Sequence, residues 1–317
     1  MIPPIAVNPT SSLEALLDVF WLRPETALWR ELDIRAMKSF DFNSHSLDIG
    51  CGDGLFSFIR AGGRFDPGFD AFRAMTGLDR FFDNVDVFDA FDGQVNPVVA
   101  ELPEYRIGCG FDHKKNLLNK AGQLGLYASL KQGDANQQLP FPDESFNSIF
   151  SNIVYWLDDP QSTLIEISRI LRPGGKVCLM LPNETLPEFS FYNQLYVKTG
   201  NPEWAFLEKL DRGRFSDNIR QARSRSVWER MFKTADLCVA EHRAHLSKTV
   251  IQIWDIGFRP LFPVLHRMAN AIPAEDFLDI KREWTATMRQ FLEPLIEMDG
   301  SLTQGKEPAF HCYILEK

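Results

Sequence analysis

Asp48, Gly50, Cys51, Gly52 and Gly54 lie in the run Leu47-Asp48-Ile49-Gly50-Cys51-Gly52-Asp53-Gly54-Leu55-Phe56. Three alternating glycines between two apolar runs read as a strand that turns sharply and leaves as a helix. Glycine permits positive φ and lets a ligand come close to bare backbone. The amides opening the next helix then face that ligand. The order acid-x-Gly-x-Gly-x-Gly departs from the G-x-G-x-x-G turn of dinucleotide-binding proteins. A nicotinamide dehydrogenase therefore fails on glycine spacing, and the chain has no clear hydride-transfer constellation.

Such a turn needs a sheet to carry it. Apolar alternation predicts strands at 45–49, 105–112, 127–132, 146–152, 176–181, 237–245 and 309–315. Helical spacing predicts two helices within 12–39, with Ser11 or Ser12 as cap and Pro24 ahead of the second. Further helices are predicted at 55–60, from Asp112 to about Gly122, after Asp158-Asp159-Pro160, and at 226–235. Arg172-Pro173-Gly174-Gly175 reads as the turn that ends the helix begun at Pro160. Strands alternating with helices predict an α/β fold, a doubly wound, mostly parallel seven-stranded sheet. One domain over 1–317 is expected, with an N-terminal helical cap at 1–43 and a helical insertion at 248–305 before the last strand. Pro260, Pro263, Pro273 and Pro294 punctuate that insertion.

A third insertion, 61–105, interleaves Phe65, Phe69, Phe72, Phe81, Phe82, Phe88 and Phe91 with Asp66, Asp70, Asp79, Asp83, Asp86, Asp89 and Asp92. The acids lack the D-x-D-x-D-G spacing of a calcium loop. A small helical insertion with phenylalanines inward and aspartates solvated is expected; the sharper alternative is an aromatic lid over the substrate.

The 317 residues are 44% hydrophobic and 24% charged, ordinary for a globular protein, with net charge −9. That charge argues against nucleic acid or an anionic membrane as partner. No apolar run approaches the ~20 residues of a membrane span. The opening MIPPIAVNPTSSLEALL lacks the basic and apolar regions of a secretory signal. Cysteines 51, 109, 178, 238 and 312 are odd in number and form no C-x-x-C pair, so neither zinc nor a disulfide framework is expected, and a reducing cytoplasm fits. His242 and His245 read as sharing one face of a strand with no third ligand, so metal is not expected.

From Leu47 to about Pro182 the chain resembles the class I S-adenosylmethionine-dependent methyltransferases of small-molecule type. Asp48, Gly50, Cys51, Gly52 and Gly54 match the methionine-moiety loop. Phe111-Asp112-His113 matches the strand end whose acid binds both ribose hydroxyls. Gln132-Gly133-Asp134-Ala135 with Leu139-Pro140-Phe141 matches the adenine segment. There the acid contacts the exocyclic amine and the next amide contacts the ring. Phe146 to Ile153, with Ser151, matches the strand beside the cofactor, and Ile170-Leu171-Arg172-Pro173-Gly174-Gly175 completes the pattern. The resemblance implies a Rossmann-like methyltransferase fold, S-adenosyl-L-methionine as cofactor and S-adenosyl-L-homocysteine as product. Physical alternatives stand beside each transfer: Asp112 as a helix N-cap, Asp134 as a turn residue. Two departures matter. Asp112 follows Gly54 by 58 residues rather than about 20, and the 61–105 insertion accounts for the excess. Tyr155-Trp156 stands where the family often has a histidine, so a histidine base there is absent.

The implied reaction is in-line methyl transfer to a small-molecule acceptor, O-methylation first among the candidates. A base is needed only where the acceptor must lose a proton. Tyr155 could orient a hydroxyl or simply pack under the following helix; Trp156 reads as a pocket wall; His113 borders the cofactor or acts as a base. Arg212, Arg214, Arg220, Arg223, Arg225 and Arg230 form a local basic run. It reads as a solvated helix surface, or, at Arg220 and Arg223, as a fork for a phosphate or carboxylate on a sugar, nucleotide sugar or lipid-linked glycan. The alternatives are a non-catalytic binding module on the same fold and an enzyme using the same cofactor for non-methylating chemistry. Sequence leaves the oligomeric state open.

Overall fold

The computed structural model describes residues 12–71, 97–205, 220–256 and 261–317. Seven strands form one sheet: β1 (Ser46–Ile49), β4 (Ile107–Asp112), β5 (Tyr127–Gln132), β6 (Phe146–Ser151), β7 (Leu171–Pro182), β8 (Cys238–His245) and β9 (Phe310–Glu316). Their order is β5-β4-β1-β6-β7-β9-β8. All contacts are parallel except those of β9, which runs antiparallel to both neighbours. Both β1 and most of β6 are buried, as a parallel sheet covered on two faces requires. The chain proceeds outward from β1 in two directions, to β4 and to β6, so the crevice at the carboxyl end of β1 is the switch point where such sheets bind ligands.

The helices are α1 (Ser12–Phe20), α2 (Pro24–Ala36), α3 (Leu55–Arg60), α4 (Lys115–Ala121), α5 (Pro160–Ile170), α6 (Leu186–Phe189), α7 (Phe191–Thr199), α8 (Arg225–Thr234), α9 (Lys248–Ile256), α10 (Phe262–Asn270) and α11 (Ala274–Thr303). Local chemistry starts them where expected. Pro24 occupies the first turn of α2, and Asp159 caps α5 by accepting from the amides of Gln161 and Ser162. Ser12 is already helical; its hydroxyl donates to Glu31 at 2.5 Å and ties α1 to α2. Rings join the N-terminal segment to the sheet: Phe42 meets Phe150 of β6 at 5.7 Å, and Phe150 stacks on Phe56 of α3 at 5.9 Å. The long α11 returns across the N-terminal helices. Trp284 Nε1 donates to the Trp21 carbonyl at 2.7 Å, and buried Lys281 donates to the carbonyls of Pro67 and Phe69, each at 2.8 Å.

Three expectations are corrected. At its described ends the 61–105 insertion is not helical: β2 (Arg64–Phe65) and β3 (Val99–Glu101) pair antiparallel as a separate ribbon. Phe65 and Phe69 are buried as expected, but so is Asp70, because Trp21 Nε1 donates to its carboxylate at 2.6 Å. Residues 72–96, with most of the phenylalanine and aspartate pattern and the lid alternative, lie outside the described residues. Arg172-Pro173-Gly174-Gly175 is not a turn between helix and strand. It is an excursion inside β7, between the pairs Phe146–Leu171 and Ser148–Lys176. His242 and His245, three residues apart, occupy opposite sheet faces. His242 meets His311 at 3.0 Å, while His245 Nε2 meets Asp33 of α2 at 2.7 Å.

Candidate functional site

The glycine loop leaves β1 at the switch point. Gly50, Gly52 and Gly54 have φ of +78°, +57° and +78°, conformations that side-chained residues rarely adopt. Gly50 also lacks room, since a Cβ there would come 2.6 Å from the Ile153 side chain. A Cβ at Gly52 would meet nothing within 4 Å, so at Gly52 bare backbone borders open space. The loop is pinned to β4: Gly50 N and Cys51 N donate to the Phe111 carbonyl at 2.8 and 3.2 Å. Gly52 N donates to Asp112 Oδ2 at 2.9 Å.

Asp48 lies beneath this loop instead of in it. Its carboxylate is buried and accepts from Ser57 Oγ and Tyr127 OH, both at 2.7 Å. Burial pushes its pKa up to about 6, against the two hydrogen bonds. Asp48 thus braces β1 against α3 and β5 through Oδ2. Ser151 is held in the core as well. It is fully buried, and its hydroxyl donates to the Ile49 carbonyl at 3.1 Å and accepts from Ile153 N. Cys51 is half-buried, and burial first, then the nearby carboxylates, drive its thiol upward, so it stays protonated. Tyr127 is a support that sequence did not reveal, because a tyrosine opening a strand has no distinguishing pattern.

Asp112 stands at the carboxyl end of β4, 8% exposed. Besides the Gly52 amide, it accepts from Lys114 N at 2.8 Å through Oδ1; Lys114 holds the N-cap position of α4, so Asp112 closes a turn ahead of the helix and does not cap it. Each carboxylate oxygen keeps a further acceptor direction. Gly133 N donates to the Asp112 carbonyl at 3.0 Å, which sets Asp134 and Ala135 beside it. Asp134 is exposed and accepts from Asn136 N at 2.9 Å, closing a turn, while Ala135 is buried. His113 is largely exposed, with Nδ1 3.6 Å from Asp112 Oδ1.

The other flank of the crevice is aromatic. Tyr155 and Trp156 form the single helical turn Val154–Trp156 after β6, Tyr155 buried and Trp156 half-exposed. The Tyr155 ring meets Trp156 edge-on at 5.2 Å and Phe310 at 5.7 Å. Trp29 of α2 joins at 5.3 Å from Phe310 and 5.3 Å from Trp254 of α9. Trp29, Trp254 and Phe310 escaped the sequence reading because they come from elements far apart in the chain. Arg220 donates to Asp158 at 2.8 Å. Arg223 is half-buried, donates to Gln221 at 2.5 Å and lies 5.7 Å from the Trp228 ring. Arg220 is helical and exposed, as the reading of a solvated helix surface expects, whereas Arg223 lies outside any helix and its amide donates to the Pro182 carbonyl at the end of β7. Arg212, Arg214 and residues 257–260 lie outside the described residues. Among the described residues no group of three metal-ligating side chains forms. No helix there is long and apolar enough to cross a membrane.

Known proteins bear on this geometry. Residues 92–179 match a family described as a methyltransferase domain. Over 54 residues, 16% of this chain and 19% of the relative, the sequence is 44% identical to the malonyl-[acyl-carrier protein] O-methyltransferase of Hahella chejuensis. Over 154 residues, 46% of this chain and 62% of the relative, it is 26% identical to the ubiquinone/menaquinone biosynthesis C-methyltransferase of Desulfotalea psychrophila. The chain thus spans less than two thirds of the length of these relatives. A solved structure covering 98% of this chain and 99% of its own, at 17% identity and TM-score 0.47, comes from the complex of the Haloferax volcanii Trm112 methyltransferase activator with a methyltransferase. A glycine loop faces a strand-end acid at the switch point of this sheet, and the matched residues 92–179, which include that acid, are similar to the methyltransferase-domain family.

Proposed function

We propose that this protein transfers a methyl group from S-adenosylmethionine to an oxygen of a small-molecule acceptor and releases S-adenosylhomocysteine. The observation that carries the reading is the meeting of the Asp112 carboxylate with the Gly52 amide at 2.9 Å beside the open face of the loop. Bound there, the cofactor supplies a methyl group already activated on a sulfonium sulfur. The protein's work is then proximity and alignment. The loop backbone at 50–54 receives the methionine part. Asp112 offers its remaining acceptor directions to vicinal ribose hydroxyls, and Asp134 with the Ala135 amide borders the adenine. Tyr155 orients the acceptor and Trp156 walls its pocket. His113 borders the ribose.

Arg220 and Arg223 flank that wall, and their charge suits an acceptor with a phosphate or carboxylate, such as a nucleotide sugar or a lipid-linked glycan. One domain over 1–317 with caps at 1–43, 61–105 and 248–305 serves this role. A reducing cytoplasm suits its five free cysteines.

Calorimetry with S-adenosylmethionine, S-adenosylhomocysteine and NAD, on the wild type and Asp112→Ala, tests the reading. Binding of both adenosyl ligands, weakened in the variant and absent for NAD, supports it. Folded protein that binds neither adenosyl ligand overturns it. Once an acceptor is in hand, neutralising Arg220 and Arg223 together raises its KM if they hold it.

A further inference from the structure

Arg169, in the last turn of α5, has all five of its N–H donors engaged. Nε and Nη2 donate to the two carboxylate oxygens of Glu166 at 2.9 and 2.8 Å. Nη2 also donates to the Leu139 carbonyl at 2.9 Å. Nη1 donates to the Phe141 carbonyl at 2.9 Å and to Asp143 at 2.6 Å. Glu166 in turn accepts from the Leu139 amide at 3.0 Å. The bonds from Arg169 hold the Glu166 carboxyl below the usual carboxylate range, so the pair is ionised at neutral pH. No donor of the fork is left for a ligand. Whatever Arg169 does for one, it does through residues 139–143.

Residues 139–143 belong to no helix or strand, so their backbone groups need partners from elsewhere. They close the segment whose other end carries Asp134 and Ala135. That segment is pinned three times. Gly133 N donates to the Asp112 carbonyl at the end of β4. Asn136 Oδ1 accepts from Asp158 N, just ahead of α5, at 2.8 Å. Leu139 is held through its amide by Glu166 and through its carbonyl by Arg169. Residues 134–138 are therefore strung between β4 and α5. Within them, Asp134 Oδ1 takes the amide and the side-chain nitrogen of Asn136 at 2.9 and 3.1 Å. Its other oxygen, Oδ2, has no partner among the described residues. Beyond them, the Phe141 ring is fixed by Phe111 at 5.6 Å, Phe146 at 5.0 Å and the Lys131 ammonium at 4.9 Å.

We propose that Arg169 and Glu166 are positioning residues that make the site selective for adenine, by fixing Asp134 Oδ2 and the Ala135 amide at the spacing of one acceptor beside one donor. This assignment rests on the adenosyl-cofactor reading above. An exposed carboxylate on an untethered loop moves with the loop and favours no particular base. Tethered at both ends, the same loop presents a fixed pattern. Adenine answers it with a donor amine beside an acceptor ring nitrogen. Hypoxanthine reverses both, with an oxygen for the amine and a hydrogen on the ring nitrogen, and leaves the loop groups unpaired. Lysine cannot replace Arg169, because a three-donor ammonium lacks the fork that reaches both carbonyls.

The test compares two ligands by calorimetry: S-adenosylhomocysteine and S-inosylhomocysteine, which differ only in the base. The wild type is expected to prefer the adenosyl ligand by about tenfold or more. Arg169→Gln is expected to weaken S-adenosylhomocysteine about tenfold and S-inosylhomocysteine less than about twofold, so that the preference collapses. Arg169→Lys keeps the charge beside Glu166, loses most of the preference as well, and serves if Arg169→Gln does not fold. Glu166→Gln keeps an oxygen for the Leu139 amide and retains the preference to within about threefold. Equal losses for both ligands in the Arg169 variants, as a merely structural role gives, overturn the assignment and leave the cofactor reading intact. So does an unchanged affinity for S-adenosylhomocysteine, or a wild type that binds both ligands alike. Wild-type protein that binds neither ligand overturns the cofactor reading itself.

Discussion

The carboxylate of Asp112 and the amide of Gly52, 60 residues apart in sequence, meet at 2.9 Å across the mouth of the sheet. That bond closes the loop against β4 and leaves acceptor directions facing the crevice. Asp112→Asn keeps the shape but loses the charge, and its side chain accepts through one oxygen instead of two. Affinity for S-adenosylhomocysteine is expected to fall about tenfold in Asp112→Asn and further in Asp112→Ala, with unfolding free energy lowered by about 1 kcal/mol. Calorimetry and urea unfolding on the same preparations separate the two effects.

Gly50 and Gly52 should respond differently to one added methyl group. Gly50→Ala meets both a positive φ and the Ile153 side chain at 2.6 Å. A loss of about 3 kcal/mol, or failure to fold, is expected from strain and overpacking together. Gly52→Ala meets only the backbone penalty, about 1 kcal/mol. Its methyl group projects into the open space assigned to the cofactor, so adenosyl-ligand binding is lost while the fold survives. Thermal melting with and without ligand distinguishes them.

Asp48 predicts a specific pH dependence. Its pKa is raised from 3.8 to about 6, so between these values the folded state binds more protons than the unfolded state. Stability therefore falls as pH rises from about 4 to about 6, and this contribution is flat outside that window. Its size is about 3 kcal/mol at most for so buried a group. Asp48→Asn removes the titration and keeps a carbonyl oxygen for Ser57 and Tyr127. Denaturant unfolding at pH 4, 5, 6 and 7 should show a weaker pH dependence in the variant; an identical slope would assign the dependence to other groups.

The buried Asp33–His245 pair should show strong coupling in a double-mutant cycle. Among the described residues, removing His245 alone leaves the buried Asp33 carboxylate with Arg30 as its side-chain partner, at a cost of about 3 kcal/mol. Removing both side chains costs less than the sum of the single changes. Additive losses measured by urea unfolding would mean that the two groups do not depend on each other.

Much of the scaffold was legible because its signals are local. Alternating apolar residues fall on the strands, Asp159-Pro160 on the start of α5, and the three glycines on a loop with positive φ. The same local reading did not reveal the buried bonds of Asp48 and Ser151. Their residue types suit a ligand, but whether a side chain points to the crevice or into the core depends on Ser57, Tyr127 and the Ile49 carbonyl. It also read 172–175 as a helix-ending turn, whereas β6 pairs with Leu171 before it and with Lys176 after it, so the four residues are an excursion within one strand.

By itself the sequence determined the strands, the glycine turn after the first of them, and the acids that follow the next two, since backbone preference and short-range periodicity set these. Only the tertiary structure decided which distant residues come together. Trp29 and Asp33 come from α2, His245 from β8, Trp254 from α9 and Phe310 from β9. They gather at the carboxyl edge because β9 runs antiparallel between β7 and β8, which returns the end of β8 and the start of β9 to the edge where β6 and β7 finish. Pairing of that kind is fixed by packing between distant segments and leaves no periodic trace in the chain.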